Sequence, residues 1–383
     1  MEILIYYNYM KQFKFIFLLA VAASALFAAC TPWQSIEYVQ KNRVVILNQG
    51  NYTSQDASVY IYDEDTKEMT VSAYSKANNS TKLGATLMSG TYSIYGYGYL
   101  LCANPDKIEV VNILTMQTLS NPIKEKLSNT RDITLAGEYI LVTNAGQDYT
   151  VNEDGSWEYT NSYVSIYNIN NHSFKDSINV GSDAQGIICV NSTAFVATKD
   201  GIVKIEYDGT TFKKTGVYQD EHFTGPVKCL VADNNYIYAS IPGYGILVYN
   251  PYEDKTVKRY EMAEMLDSNA NITLGPDNCI YTYATTFSPT DWSVENSNVF
   301  KLNLTTGETS HIYNGEYVYG VGVSPYSGNV FISEANEFQT NSTIYINKPD
   351  QSETLVDRQF AGIGAFKFLF VRNFEEVKQT EQK

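Results

Sequence analysis

Histidine and cysteine offer the widest chemistry at neutral pH, and their placement along this chain gives them little to do. His172, His222 and His311 fall in three separate segments. His172 sits on a short polar turn and His311 in an expected outer strand. Only His222 lies in a longer loop, where a solvated imidazole is the ordinary reading. There is no H-E-x-x-H, no G-x-S-x-G and no phosphate loop, so three common reaction types lack their usual carriers. Asp148, Asn152 and Asp154 are spaced like calcium ligands but lack the rest of an EF-type loop and its closing Glu. No metal site and no cofactor is expected. Cys102, Cys189, Cys229 and Cys279 form no C-x-x-C and sit inside apolar runs, which favours free buried thiols. An exported compartment would permit disulfides, but spacing assigns none. Arg131 carries a planar fork suited to a carboxylate, phosphate or amide oxygen; its alternative is an ion pair with Asp132 or a neighbour. A lyase or lactonase would need a carboxylate cluster, and Asp132 and Asn271 stand isolated. Aromatics are far more abundant: 32 Tyr, 17 Phe and 3 Trp. Recognition is better equipped here than bond-making.

The elements that must position these residues are short strands. Residues 227–262 read as four of them, at 227–231, 236–240, 246–249 and 256–262, separated by Asn/Asp/Gly/Pro turns. The second-strand phrase recurs as VVILN, YLLCAN, YILVTN, AFVAT, YIYAS, CIYTY and VFISE. A basic interval of about 40 residues with four strands per unit is the propeller pattern, longer intervals marking insertions. Seven units are visible, the first lacking an inner strand and residues 365–371 (AFKFLFV) forming a strand with no unit after it. The expectation is an all-β, seven-bladed propeller of four-stranded antiparallel blades over 44–371, its ring closed by the C-terminal strand.

In such a blade the loop between second and third strands opens on the same face as the connection to the next blade. The long insertions fall there, at 49–57, 146–162, 285–297 and 334–341, with connections at 76–90, 220–226 and 264–269. That face would carry Tyr52, Tyr149, Trp157, Tyr159, Phe223, Tyr244, Phe287, Trp292 and Phe338. These rings suit ligand or partner recognition; the alternative is that some pin their own loops, as Trp157 would on a hairpin around Gly155-Ser156. The starts of the inner strands would line the channel mouth with Arg131-Asp132, Gln185-Gly186, Lys228, Asn271 and Tyr319. Candidate ligand-binding residues are therefore Arg131 and Gln185 together with the loop-face aromatics.

The chain begins with a basic segment at 10–14 and an apolar run at 15–29 ending in small residues before Cys30. The run is short for a membrane span and reads as a secretory signal over 1–29. LFAAC at 26–30 resembles a bacterial lipobox, which would make Cys30 the lipidated residue, 30–43 its tether and the lipid the membrane contact. Ordinary cleavage beside a chance cysteine is the alternative. Residues 372–383 read as a polar tail. A formal charge of −15 argues against nucleic acid as a partner.

YILVTN at 139–144 resembles the repeat phrase of YVTN-type bacterial surface propellers. More closely, VVILNQGNYTSQDASVYIYDEDT at 44–66, followed by KLGATLMSG and KIEVVNILTMQT, resembles the seven-bladed propeller lipoproteins of Bacteroidetes envelopes. Gln49 replaces the acidic residue of their strand–NEGN–strand opening. Members of that group are similar to surface lipoproteins that capture cobalamin and pass it to TonB-dependent outer-membrane transporters. The resemblance implies a lipid-anchored outer-membrane protein, exposed at the cell surface or facing the periplasm, that captures a small-molecule nutrient such as a corrinoid. A scaffold docking another envelope protein is the second expectation.

Overall fold

The structure, a computed structural model, describes residues 34–153, 155–223, 225–348 and 355–380. The expected signal, Cys30 and Asp154 lie outside the described residues. The chain divides into a compact unit, Asn42–Val371, and a second unit made of Met1–Lys41 with Arg372–Lys383.

Antiparallel hairpins follow one another along the chain. The first sheet contains β1 (Gln34–Asn48), β2 (Ser58–Asp63) and β3 (Met69–Thr70). A five-residue helix, α1 (Ala73–Ala77), leads to the second sheet: β4 (Thr86–Tyr92), β5 (Tyr97–Ala103) and β6 (Lys107–Asn112). The third holds β7 (Thr130–Ala136) and β8 (Tyr139–Asn144), then, beyond a separate hairpin of β9 (Tyr149–Val151) and β10 (Trp157–Tyr159), β11 (Ser162–Asn168) and β12 (Phe174–Gly181). The fourth is β13 (Ile187–Val190), β14 (Thr193–Thr198), β15 (Gly201–Tyr207) and β16 (Phe212–Tyr218). The fifth is β17 (Leu230–Ala232), β18 (Ile237–Ile241), β19 (Gly245–Asn250) and β20 (Lys255–Glu261). The sixth is β21 (Ile272–Leu274), β22 (Cys279–Phe287), β23 (Val294–Asn303) and β24 (Thr309–Gly315). The seventh is β25 (Val318–Val323), β26 (Val330–Glu334), β27 (Thr343–Asn347) and β28 (Leu355–Phe360). Finally β29 (Ala365–Thr380) returns to the first sheet, giving it the order β29-β1-β2-β3. The fold is all-β, built of four-stranded antiparallel sheets in a manner consistent with a propeller.

Three features depart from the sequence reading. The second sheet has three strands rather than four. After β6 the chain makes only isolated bridges, Val111 with Thr118 and Ile108 with Ile123, which do not share one register and so do not extend into a ladder. The strands β1 and β29 also overrun the expected limits at 44 and 371, so strand continues into the segments read as tether and tail. The fifth sheet's first strand begins at Leu230; Lys228 precedes it, its N–H donating to the Ser240 carbonyl at 3.1 Å.

Middle strands are buried on both faces, which explains why their repeat phrases are apolar at nearly every position. On β1, Val45 and Leu47 pack towards the second sheet, while Val44 and Ile46 pack with Phe331 and Ile344 of the seventh. On β14, Val196 joins Leu141 and Val164, while Phe195 joins Ile237 and Leu247. Each fully buried branched or aromatic side chain contributes about 1.5–3 kcal/mol. Outer strands alternate instead, as β12 does.

The tyrosines belong to the same scheme. Tyr62, Tyr167, Tyr249 and Tyr281 are fully buried, yet each hydroxyl reaches an acceptor. Tyr249 donates to Asp254 at 2.6 Å and Tyr281 to Asp277 at 2.8 Å, both carboxylates on turns of the same sheet. Such pairs let a large ring enter the core without orphaning its hydroxyl.

Candidate functional site

Seven strands, one from each large sheet, converge on one cavity of about 620 Å³. They are β4, β7, β13, β17, β21, β25 and β29, and their residues Ser89, Ile133, Ile187, Leu230, Ile272, Val321 and Phe368 are part of the wall. Hydroxyls on the second strands hold several of these inner segments in place. Thr143 donates to the Gln185 carbonyl at 2.7 Å, Thr282 to Asn271 at 2.7 Å and Ser333 to Ala365 at 2.6 Å. These Ser/Thr side chains are buried, so each hydrogen bond replaces one otherwise lost with water.

Every position expected at the channel mouth lines this cavity: Arg131, Asp132, Gln185, Gly186, Lys228, Asn271 and Tyr319. The ion pair with Asp132 or a neighbour, the alternative reading of Arg131, does not form among the described residues. Asp132 instead accepts from Ser89 Oγ at 2.5 Å, from Lys367 Nζ at 3.2 Å and from the Ile187 N–H at 3.1 Å. Lys367 also donates to Ser89 Oγ at 2.7 Å. Arg131 makes no ion pair among the described residues, and its Nε is buried without an acceptor. Its guanidinium lies 5.5 Å from the centre of the Tyr159 ring. Lys228 likewise has no carboxylate partner within 4 Å among the described residues. Burial lowers its pKa and the Arg131 charge adds to that, while Asp183 opposes both. On the wall, Cys229 has its thiol pushed up by burial, which leaves it protonated and inert at neutral pH.

A second cleft of about 340 Å³ adjoins the mouth, sharing Gln49, Met88 and Arg131 with the cavity and adding Tyr52 and Phe338. Phe338 packs edge-on against Tyr319 at 4.7 Å, and the Tyr319 hydroxyl bonds Gln49 Oε1. Tyr283 donates to the Tyr319 carbonyl at 2.8 Å and accepts from Asn271 at 3.1 Å.

Of the sequence candidates, Tyr52, Arg131, Gln185 and Phe338 thus come together around these two spaces. The other six line neither. Tyr149 and Trp157 stack on each other at 4.7 Å within the β9–β10 hairpin, the loop-pinning alternative. Phe223 packs edge-on against Tyr218 and Tyr244 lies beside His222. Phe287 meets Tyr317 edge-on, and Trp292, 78% exposed, sits at the end of the β22–β23 hairpin. Loop position alone did not separate rings that face the cavity from rings that stabilise their own hairpin. Gln49, Lys367 and Tyr283 were missed. Lys367 had a signal: a lone cation in the otherwise apolar AFKFLFV strand. His222 bonds Asp220 through Nδ1 at 2.9 Å, and Arg259 and Thr256 hold the same carboxylate, each at 2.7 Å. Among the described residues no group of three or more His, Cys, Asp or Glu is arranged to hold a metal ion.

No protein family's profile matches the chain, and no curated protein matches it. Solved structures do. A putative 6-phosphogluconolactonase from Bacteroides fragilis aligns with a TM-score of 0.58 at 12% identity, covering 86% of this chain and 98% of its own. Hydrazine synthase from Kuenenia stuttgartiensis aligns with a TM-score of 0.56 at 14% identity, covering 75% and 95%. At these identities the likeness is one of fold, and that fold is propeller-like.

Proposed function

We propose that the protein is a binding protein: a seven-bladed propeller, its ring closed by β29, that captures a small organic ligand at one mouth of its central channel. The observation that carries this reading is the single cavity shared by inner strands of all seven large sheets, with polar groups from strand starts collected at its rim. Closure is supported by the packing of the seventh sheet against the first and by the approach of Gly320 to Phe366. A volume of about 620 Å³ falls in the range of ordinary ligand pockets. A rigid wall of paired strands limits the ordering cost of binding.

In this reading Cys30 carries a lipid that holds the protein at the outer membrane, and captured ligand passes to an outer-membrane transporter. A corrinoid is the first ligand to test. It is larger than the cavity, so its macrocycle would lie across the mouth and the Tyr52–Phe338 cleft while a side group enters. Calorimetric titration of the purified chain with cyanocobalamin gives saturable one-to-one heat if this holds. A flat trace removes the corrinoid.

A second reading, an envelope scaffold, is favoured by the exposed rings of Trp157 and Trp292 on hairpins that line neither space. A stoichiometric envelope partner retained without ligand would support it. The lactonase name of the Bacteroides fragilis neighbour suggests a third, for which loss of a measured lactonase activity on chelation would be the sign.

A further inference from the structure

Three successive sheets place hydrogen-bond donors side by side on the wall of the cavity. Arg131 comes from the start of β7, Gln185 from just before β13 and Lys228 from just before β17. The backbone ties the last two segments together, the Gly186 N–H donating to the Lys228 carbonyl at 3.1 Å. Arg131 and Lys228 are near enough for the charge of one to act on the other. Two like charges brought together on a partly desolvated wall cost free energy unless something negative joins them.

Elsewhere in the cavity an ion pair supplies that neutralisation; here Asp183 acts on Lys228 only from beyond ion-pair distance. Lys367, the third cation of the wall, is paired with Asp132 and bonded to Ser89. Asp183, the acid closest in effect to Lys228, has its Oδ1 engaged by the Tyr159 N–H at 3.0 Å and makes no ion pair with either cation among the described residues. Arg131 is also aimed rather than loose: Tyr159 lies against its guanidinium, and its Nε is buried with no acceptor. In a chain of net charge −15, two neighbouring cations that form no ion pair among the described residues are not the background composition.

We infer that Arg131, Gln185 and Lys228 form an anion-recognition subsite, which takes a carboxylate or phosphate group of the captured ligand at the channel mouth. The inference rests on the capture reading and adds the chemical class of ligand. The guanidinium fork donates to two oxygens of such a group, the Gln185 amide donates to an oxygen between, and Lys228 supplies the second charge. The rest of the ligand then lies towards Phe338 and Tyr52, in the adjoining cleft that shares Arg131.

The test titrates the full chain at low salt with two probes, inorganic phosphate and citrate, which separate a phosphate site from a carboxylate site. One probe is expected to bind one-to-one with a dissociation constant of about a millimolar or tighter, weakening as salt is added. Arg131→Gln and Lys228→Gln should each weaken it by about tenfold or more. Arg131→Lys, which keeps the charge without the fork, should recover part of the loss and guards against a variant that fails to fold. Failure of both probes to bind at about ten millimolar overturns the subsite. So does undiminished binding in the Arg131→Gln/Lys228→Gln double variant. Binding of cyanocobalamin, net neutral although it carries a phosphodiester, that survives the double variant while neither free anion binds would overturn the subsite and leave the capture reading standing. If no anion and no neutral ligand binds the wild-type chain, both fall.

Discussion

Replacing Gly320 with alanine probes the place where the last sheet meets the returning strand. A methyl built at Gly320 on β25 would stand 2.7 Å from the Phe366 carbonyl oxygen, 2.8 Å from its Cα and 2.9 Å from its carbonyl carbon. All three are backbone atoms of β29, so no side chain can swing aside. Relief requires β25 and β29 to separate by about 0.7 Å, in an interior packed to crystal density. Overpacking of that kind costs about 1–3 kcal/mol. Gly216 on β16 is the matched control, since a methyl there meets nothing within 4 Å. There alanine should be neutral or stabilise by up to about 1 kcal/mol, through the unfolded chain. Urea unfolding followed by far-UV circular dichroism and tyrosine fluorescence gives both values if the two probes coincide. Gly320→Ala should unfold at clearly lower urea than Gly216→Ala. Equal midpoints would mean that β25 and β29 are not in close contact, and the argument for a closed ring would lose its support.

Asp220 is only 4% exposed; burial alone would raise its pKa, but hydrogen bonds from Arg259, Thr256 and His222 outweigh that and hold it below the usual carboxylate range. A depressed folded-state pKa contributes stability above the unfolded value of about 3.9 and loses it as pH falls through the folded value. Asp220→Asn should therefore cost about 2–3 kcal/mol at pH 7, the partial exposure of Arg259 being discounted; in acid unfolding curves the gap to wild type should begin to narrow below about pH 4 and go on narrowing as pH falls towards the depressed folded value. Cys102, Cys189, Cys229 and Cys279 are free, with burial pushing Cys102 up to about 12 and Cys279 to about 11. Thiol titration without reductant should find these four in denaturant and react slowly with Cys102 in the native state at pH 8; a disulfide among them by mass mapping would refute this. Trp292→Ala should leave stability within about 0.5 kcal/mol and leave any captured ligand's affinity unchanged, whereas a scaffold partner would lose its grip in a pull-down.

The strand phrases were legible because alternate residues of each middle strand go to different interfaces, making the whole run apolar. Residues 227–262 gave four strands at nearly the expected places for that reason. The fourth strand of the second sheet is missing because its bridges to β6, Val111–Thr118 and Ile108–Ile123, are out of register with each other, which the repeat pattern does not reveal. At the cavity the strand starts were legible from topology alone, since the first strand of each repeat is the edge strand expected to face the cavity. The aromatic loops were not. Whether Trp157 reaches a ligand or stacks on Tyr149 depends on where a hairpin bends, and nothing in GQDYTVNEDGSWEYTNS fixes that bend. That Arg131 would lack an ion-pair partner was hidden for another reason. Asp132, its neighbour in sequence, is claimed by Ser89 and Lys367 from far along the chain.

Because β29 is the partner of β1, the first sheet cannot be completed when its own residues are made. During synthesis β1 waits with an unpaired edge until about 320 residues later the chain delivers Ala365. Pairing over that separation is slow and is bought late. The first sheet is thus least protected just before β29 arrives, when the other six large sheets can already have formed. Truncation near residue 365 should therefore produce aggregation more than loss of a local element, and a chaperone that shields strand edges would matter most at that moment.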